Sequence, residues 1–127
     1  NNAVYGMTGG QMAPTTMPDQ RTTTSPFGRK SDDVGMPVRV SELLASLATP
    51  AFISRQTVVK PKYIKKAKRA IKQAFEYQMA NRCFSFVEVV STCPTNWGMT
   101  PIDSIEWAEN TLLPYYPLGD FKTPEEE

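Results

Sequence analysis

The chain contains no histidine, and that absence removes several catalytic classes at once. Neither a Ser-His-Asp triad nor a Cys-His pair can be assembled, and a zinc site that needs imidazole is excluded. Cysteine is nearly as scarce. Only Cys83 and Cys93 occur, in no Cys-x-x-Cys pair, so this chain alone cannot ligate an iron–sulfur cluster. An excess of one charge is also lacking: 14 Lys and Arg stand against 13 Asp and Glu, a net charge of +1 over 127 residues. A dedicated nucleic-acid binder would carry a strong basic excess, so no nucleic-acid partner is expected. No apolar run approaches about 20 residues, so no membrane span is expected, and the opening Asn1-Asn2-Ala3-Val4-Tyr5 does not read as a signal peptide.

What is present divides near residue 37. Residues 5–36 are rich in Gly, Thr, Pro and Met and show neither helical nor strand periodicity. So long a stretch is either disordered or a functional loop. Its Tyr, Phe and four Met favour the loop. From residue 38 the pattern becomes regular. Val40, Leu43, Leu44 and Leu47 recur at helical spacing up to Thr49-Pro50. Residues 51–59 read as a strand, and Pro61 suits the first turn of a helix lined by Ile64, Ala67, Ile71, Ala74, Phe75 and Gln78 to about residue 81. Phe84-Ser85-Phe86-Val87-Glu88-Val89-Val90 is nearly continuously apolar, the mark of a parallel strand buried on both faces. Thr100-Pro101-Ile102-Asp103 predicts a capped helix start, with the helix running through Ile105, Trp107 and Leu112 until Pro114 ends it. Glu125-Glu126-Glu127 is expected to be a frayed acidic tail.

The order α-β-α-β-α predicts a parallel sheet with crossover helices. Two strands cannot make such a sheet alone. Either residues 1–4 end a third strand, or the chain is a piece of something larger.

Two segments could carry chemistry. Asn1-Asn2-Ala3-Val4-Tyr5-Gly6-Met7-Thr8-Gly9-Gly10-Gln11 joins a polar strand end to a glycine-rich turn. Amide and carbonyl oxygens suit Mg²⁺, and successive N–H groups of such a turn can cradle a diphosphate. The bland reading is a flexible turn. Ser91-Thr92-Cys93-Pro94-Thr95-Asn96-Trp97-Gly98-Met99 follows the second strand, where open α/β sheets bind their ligands. Its bland reading is a connecting loop with a capped helix start.

Residues 1–11 and 87–101 together strongly resemble the thiamine-diphosphate-binding (beta) subunit of 2-oxoacid:ferredoxin oxidoreductases, and Pro114-Tyr115-Tyr116-Pro117-Leu118-Gly119 looks like the same family. The resemblance implies the C-terminal part of a thiamine-diphosphate-binding α/β parallel-sheet domain, with a long Gly/Thr/Pro-rich loop and a C-terminal helical extension. Residues 1–98 would belong to that domain, with 5–37 as active-site loop, and 99–127 would be the extension. It further implies Mg²⁺ held by the side chain of Asn2 and the carbonyl of Val4, and cofactor bound along Gly6, Met7, Thr8 and Gly9. The family's Gly-Asp-Gly motif, which supplies a third ligand, is absent here and is expected upstream.

The implied reaction is coenzyme A-dependent oxidative decarboxylation of a branched-chain 2-oxoacid or 2-oxoglutarate, with electrons passed to ferredoxin. Histidine is dispensable in it, because the cofactor's aminopyrimidine can serve as base and the cofactor is the electron sink. No catalytic side chain is assigned to this chain. Iron–sulfur clusters are expected on other chains or upstream, the partners are the other subunits of a cytoplasmic oligomer, and the fragment alone is expected to be inactive.

Other features have plainer readings. The cations from Lys60 to Lys72 read as a solvated helix face; the alternative function is a non-catalytic fragment whose basic helix docks an acidic protein. Glu88 is expected to be structurally satisfied, since a lone buried carboxylate is costly. Cys93 is expected to be a small buried residue. Trp97 and Met99 could wall the cofactor or pack at a subunit interface, and Tyr115-Tyr116 would anchor the tail on a neighbouring subunit.

Overall fold

Glycines at positions 6, 9 and 10 turn the N-terminal segment back on itself. In this computed structural model β1 (Val4–Tyr5) pairs antiparallel with β2 (Gln11–Met12), with Val4 opposite Met12. A short 3₁₀ turn, Gly6–Thr8, bridges them, and Gly9 and Gly10 take φ of 123° and 77°. The described structure covers residues 1–124, so the predicted acidic tail lies outside it. It divides into two compact units: Asn1–Val38 with Ser91–Pro114, and Arg39–Val90 with the residues from Tyr115 on.

The segment after β2, including the helical turn α1 (Ser31–Val34), is built from turns, not disorder. Arg29 holds it. This side chain is buried, and its guanidinium donates to the carbonyls of Ala13 (3.1 Å), Pro14 (3.1 Å), Thr16 (3.0 Å) and Gly35 (3.0 Å). Carbonyls outside any strand or helix thus share one charged donor, which for Ala13 and Pro14 adds to the amides of Thr16 and Val38.

The second unit contains α2 (Val40–Ala45), β3 (Ala51–Thr57), α3 (Pro61–Met79), β4 (Phe84–Val90) and β5 (Gly119–Lys122). Lys60 is extended before Pro61, as the residue before proline prefers, and Pro61 opens α3 without losing a needed N–H. The helix closes with Asn81 at φ 53°; the Asn81 amide donates to the Gln78 carbonyl and the Arg82 amide to the Tyr77 carbonyl. That is the left-handed cap that asparagine tolerates. As predicted, β3 and β4 pair in parallel, from Ala51 opposite Phe84 to Thr57 opposite Val90.

Two expectations fail here. The third strand is β5, antiparallel to β3, so the sheet runs β4-β3-β5 and is mixed; residues 1–4 do not enter it. The strand buried on both faces is β3, whereas β4 stands at the described sheet's edge with only Glu88 and Val90 buried.

Beneath the sheet lies a charged core. Arg55, fully buried, donates from Nε to Glu88 (2.7 Å), from Nη2 to Glu42 (2.6 Å) and from Nη1 to the Pro117 carbonyl (3.1 Å). Ser41 donates to the same Glu88 carboxylate at 2.7 Å. Glu88 is therefore structural, satisfied by side chains. Burial opposes the Arg55 charge, but the hydrogen bonds with Glu42 and Glu88 outweigh it and raise the guanidinium's pKa. The hydrogen bond from Arg55 holds the Glu42 carboxyl below its ordinary value, against the opposing effect of burial.

Tyr116 corrects another expectation. It is fully buried in this chain, with the Arg55 guanidinium 5.0 Å from its ring centroid, and does not reach for a neighbour; Tyr115 lies under Arg39 at 4.1 Å.

After β4 come α4 (Pro94–Trp97), α5 (Pro101–Trp107) and α6 (Leu113–Tyr115). The Asp103 amide donates to the Thr100 hydroxyl, the predicted N-cap. Pro114 does not end this helix. It lies within α6, after a π-helical stretch from Ala108 to Leu112 in which the Leu113 amide reaches back to the Ala108 carbonyl. Such a bulge shifts the hydrogen-bonding register just before a residue that has no amide to give.

Candidate functional site

The first unit brings together the two segments singled out in the sequence, although about ninety residues separate them. The indole Nε1–H of Trp97 donates to the Asn2 carbonyl at 2.8 Å. The carboxamide of Asn96 donates to the Gly6 carbonyl at 3.0 Å and lies 3.3 Å from Cys93 Sγ. The Ser91 amide donates to the Asn1 carbonyl at 2.9 Å. One side of this site is therefore a glycine turn, and the other is α4 with the residue before it. Pro94 starts α4 and Gly98, left-handed at φ 66°, stops it, so Asn96 and Trp97 sit on one short rigid turn.

Space explains the glycines. A Cβ on Gly6 would stand 3.2 Å from Asn2 Nδ2, 3.3 Å from Asn96 Nδ2 and 3.3 Å from Cys93 Sγ. On Gly10 it would stand 2.7 Å from Asn96 Oδ1, a contact real side chains do not make. Asn2, Gly6, Gly10, Cys93 and Asn96 thus converge on one spot.

The backbone is strained beside it. Ala3, buried, has φ 61°, a conformation that costs a non-glycine residue about 1 kcal/mol or more. It is held there by its amide donating to Asn1 Oδ1 at 3.0 Å and its carbonyl accepting from the Thr16 hydroxyl at 2.6 Å.

Of the predicted site residues, Asn2 and Gly6 lie in this cluster. Val4 is buried in β1, and Met7 and Thr8 continue the 3₁₀ turn. Met7 is fully exposed, and Thr8 exchanges hydrogen bonds with Gln11 at 2.7 and 2.8 Å. Gly9 supplies the positive φ that ends the turn. Cys93 is partly exposed, not the small core residue expected. Trp97 packs edge-on against Trp107, centroids 4.6 Å apart.

The sequence reading had Asn96 only as part of the segment from Ser91 to Met99, with no role of its own, and left Trp97 between walling the cofactor and packing at an interface. Their signal was the Cys93–Met99 motif itself, but its partner could not be read from spacing. The donor set is neutral: carboxamides and carbonyls, with no cluster of three His, Cys, Asp or Glu side chains among the described residues. That chemistry would suit only part of a hard-cation site, whose remaining ligands, phosphate oxygens or a carboxylate, would have to come from elsewhere.

No family model matches the chain. It is 43% identical over 122 residues to the ketoisovalerate oxidoreductase subunit VorA of Methanothermobacter marburgensis, covering 96% of this chain and 26% of that protein. It is 41% identical over 106 residues to the 2-oxoglutarate synthase subunit KorB of Archaeoglobus fulgidus, covering 84% of this chain and 35% of that one. The chain therefore spans only about a quarter to a third of the length of these relatives. Its fold is similar to that of a 2-oxoglutarate:ferredoxin oxidoreductase from Magnetococcus marinus, solved with 2-oxoglutarate, coenzyme A and succinyl-CoA bound. That match has a TM-score of 0.63 at 20% identity, over 99% of this chain and 46% of that one.

Proposed function

This chain is a homologue of 2-oxoacid:ferredoxin oxidoreductase subunits, and from that premise we propose that it contributes part of a thiamine diphosphate–Mg²⁺ site to such an enzyme. The observation that carries the proposal is the closure of the glycine turn by Asn96 and Trp97. The Asn2 carboxamide and the Val4 carbonyl would be metal ligands, and Gly6 to Gly9 would lie along the diphosphate.

When bound, thiamine diphosphate supplies the carbanion-stabilising chemistry that decarboxylation of a 2-oxoacid requires. This chain's residues do something simpler. Trp97 fixes the Asn2 backbone, Asn96 fixes Gly6, and the hydrogen-bonded left-handed Ala3 sets the direction in which the Asn2 side chain leaves the chain. The site is pre-organised by contacts formed before any ligand arrives, which reduces the ordering cost of binding. The reading extends to coenzyme A-dependent oxidation of a branched-chain 2-oxoacid or 2-oxoglutarate, with ferredoxin as acceptor and other subunits supplying the clusters.

The test is Asn2→Ala in the complex that contains this chain. Mg²⁺-dependent thiamine diphosphate affinity should fall by about tenfold or more, with 2-oxoacid-dependent dye reduction falling alongside. Undiminished binding and turnover would remove Asn2 from the site.

A further inference from the structure

The outward face of α3 concentrates charge that the chain as a whole does not show. Lys62, Lys65, Lys66, Lys68, Arg69 and Lys72 are all exposed, while Ala67 and Ala70, the helix's buried residues, lie on its other side. The helix carries six cations and one acid, Glu76, and so a charge of +5 within a chain of net +1; the remainder stands at −4. Such a run is held at a cost to the helix itself. Lys65–Arg69 and Lys68–Lys72 are like-charge neighbours one turn apart, as are Lys65–Lys68 and Lys66–Arg69, and each such pair destabilises a helix. No acid stands in the first turn, where the helix dipole favours negative charge. Glu76 meets the far end of the run, 3.6 Å from Lys72.

We propose that this face is the docking surface for the electron-acceptor protein, a small carrier that presents a patch of carboxylates. The assignment rests on the proposed reaction, in which electrons leave to ferredoxin, and falls with it. An acceptor must bind, leave and be replaced, which favours an electrostatic encounter over apolar burial. Five of the six cations are lysine, strongly hydrated and depleted from the cores of permanent interfaces, so the face suits a contact that stays wet. From Lys62 to Lys72 the helix rises about 15 Å, a run compact enough to meet one acidic patch. A nucleic acid would extend past the helix and meet a remainder whose net charge repels it.

The experiment uses the complex that contains this chain, with 2-oxoacid turnover followed through ferredoxin and, in parallel, through a small redox dye that needs no docking surface. In the triple variant Lys65→Gln, Lys68→Gln, Lys72→Gln, KM for ferredoxin at low ionic strength should rise about tenfold while dye reduction stays unchanged. The rise should shrink as salt screens the contact. The charge-keeping set Lys65→Arg, Lys68→Arg, Lys72→Arg should retain the parental KM. An unchanged ferredoxin KM beside parental dye reduction would overturn the docking alone. Absence of 2-oxoacid-dependent dye reduction in the parent would remove the proposed reaction, and the docking with it. Equal losses in the Gln and Arg sets, or a loss shared by the dye, would assign these lysines a structural role instead. A short DNA duplex that the parent binds and the Gln set releases, with ferredoxin KM unmoved, would make the face a nucleic-acid site and sink the proposal.

Discussion

Arg29 and Arg55 are both buried, but their guanidinium groups have different kinds of partner. Arg29 donates to backbone carbonyls of the 13–16 segment and of Gly35, whereas Arg55 lies between two carboxylates. Arg29→Met keeps much of the stem's volume and takes the charged donor from the Thr16 and Gly35 carbonyls, while the Ala13 and Pro14 carbonyls keep the amides of Thr16 and Val38. Buried acceptors stripped of a charged donor cost roughly 1–3 kcal/mol each before relaxation. The variant should therefore lose about 3 kcal/mol or more in urea unfolding, and a loss within about 0.5 kcal/mol would show that water replaces the arginine. At Arg55 the informative partner is Glu42, whose folded-state pKa is depressed. A depressed carboxyl stabilises the fold above its unfolded value, 4.5 for a free glutamate, and that contribution disappears as pH falls through the folded value. Glu42→Gln should thus be less stable than the parent at pH 7, with the difference narrowing under acid. Unfolding midpoints measured from neutral pH down to about 3 would reveal parallel curves if Glu42 contributed nothing.

Among the elements, α3 and the β3–β4 pair were legible because their signals are local. Pro61 marks the helix start, and the runs Ala51–Thr57 and Phe84–Val90 read as strands; the side expected to line α3 is less faithful, since Ile64, Ile71 and Phe75 are exposed and Ala67 and Ala70 are the residues buried. β5 was not legible. Gly119-Asp120-Phe121-Lys122 has one apolar residue, and its extended form comes from pairing with β3, reinforced by the Ser54 hydroxyl donating to the Asp120 carboxylate at 2.7 Å. That is tertiary context overriding propensity. The π-helical stretch and the Arg29 carbonyl contacts likewise depend on backbone geometry that leaves no residue pattern. The glycine turn stands between these cases. Its glycines marked it, but what they make room for, the Asn96 side chain, lies far along the sequence. Gly10→Ala tests that account, since it combines a φ of 77° with a Cβ 2.7 Å from Asn96 Oδ1. On the proposed cofactor reading, thiamine diphosphate affinity of the complex that contains this chain should drop on the order of tenfold while far-ultraviolet circular dichroism stays unchanged. Parental affinity would mean that Asn96 can step aside without consequence.

At the scale of the molecule, no helix among the described residues is long and apolar enough to cross a membrane. A net charge of +1 also conceals a strongly basic α3. The candidate site stands at the opposite extreme from local structure. The contacts Asn96–Gly6 and Trp97–Asn2 span 90 and 95 residues of sequence, so closing them costs chain entropy that few local bonds can return early. A ligand that requires both contacts then binds only chains whose N-terminal segment and α4 have come together. If thiamine diphosphate and Mg²⁺ are that ligand, a concentration about a hundred times Kd should raise global stability by about 2.7 kcal/mol. Thermal unfolding of the Asn96→Ala protein should respond far less; an equal response would detach the ligand from this closure. Refolding adds a temporal consequence. Recovery of cofactor affinity should lag behind recovery of α3 helicity, so a nascent chain would acquire its helix early and its binding competence last.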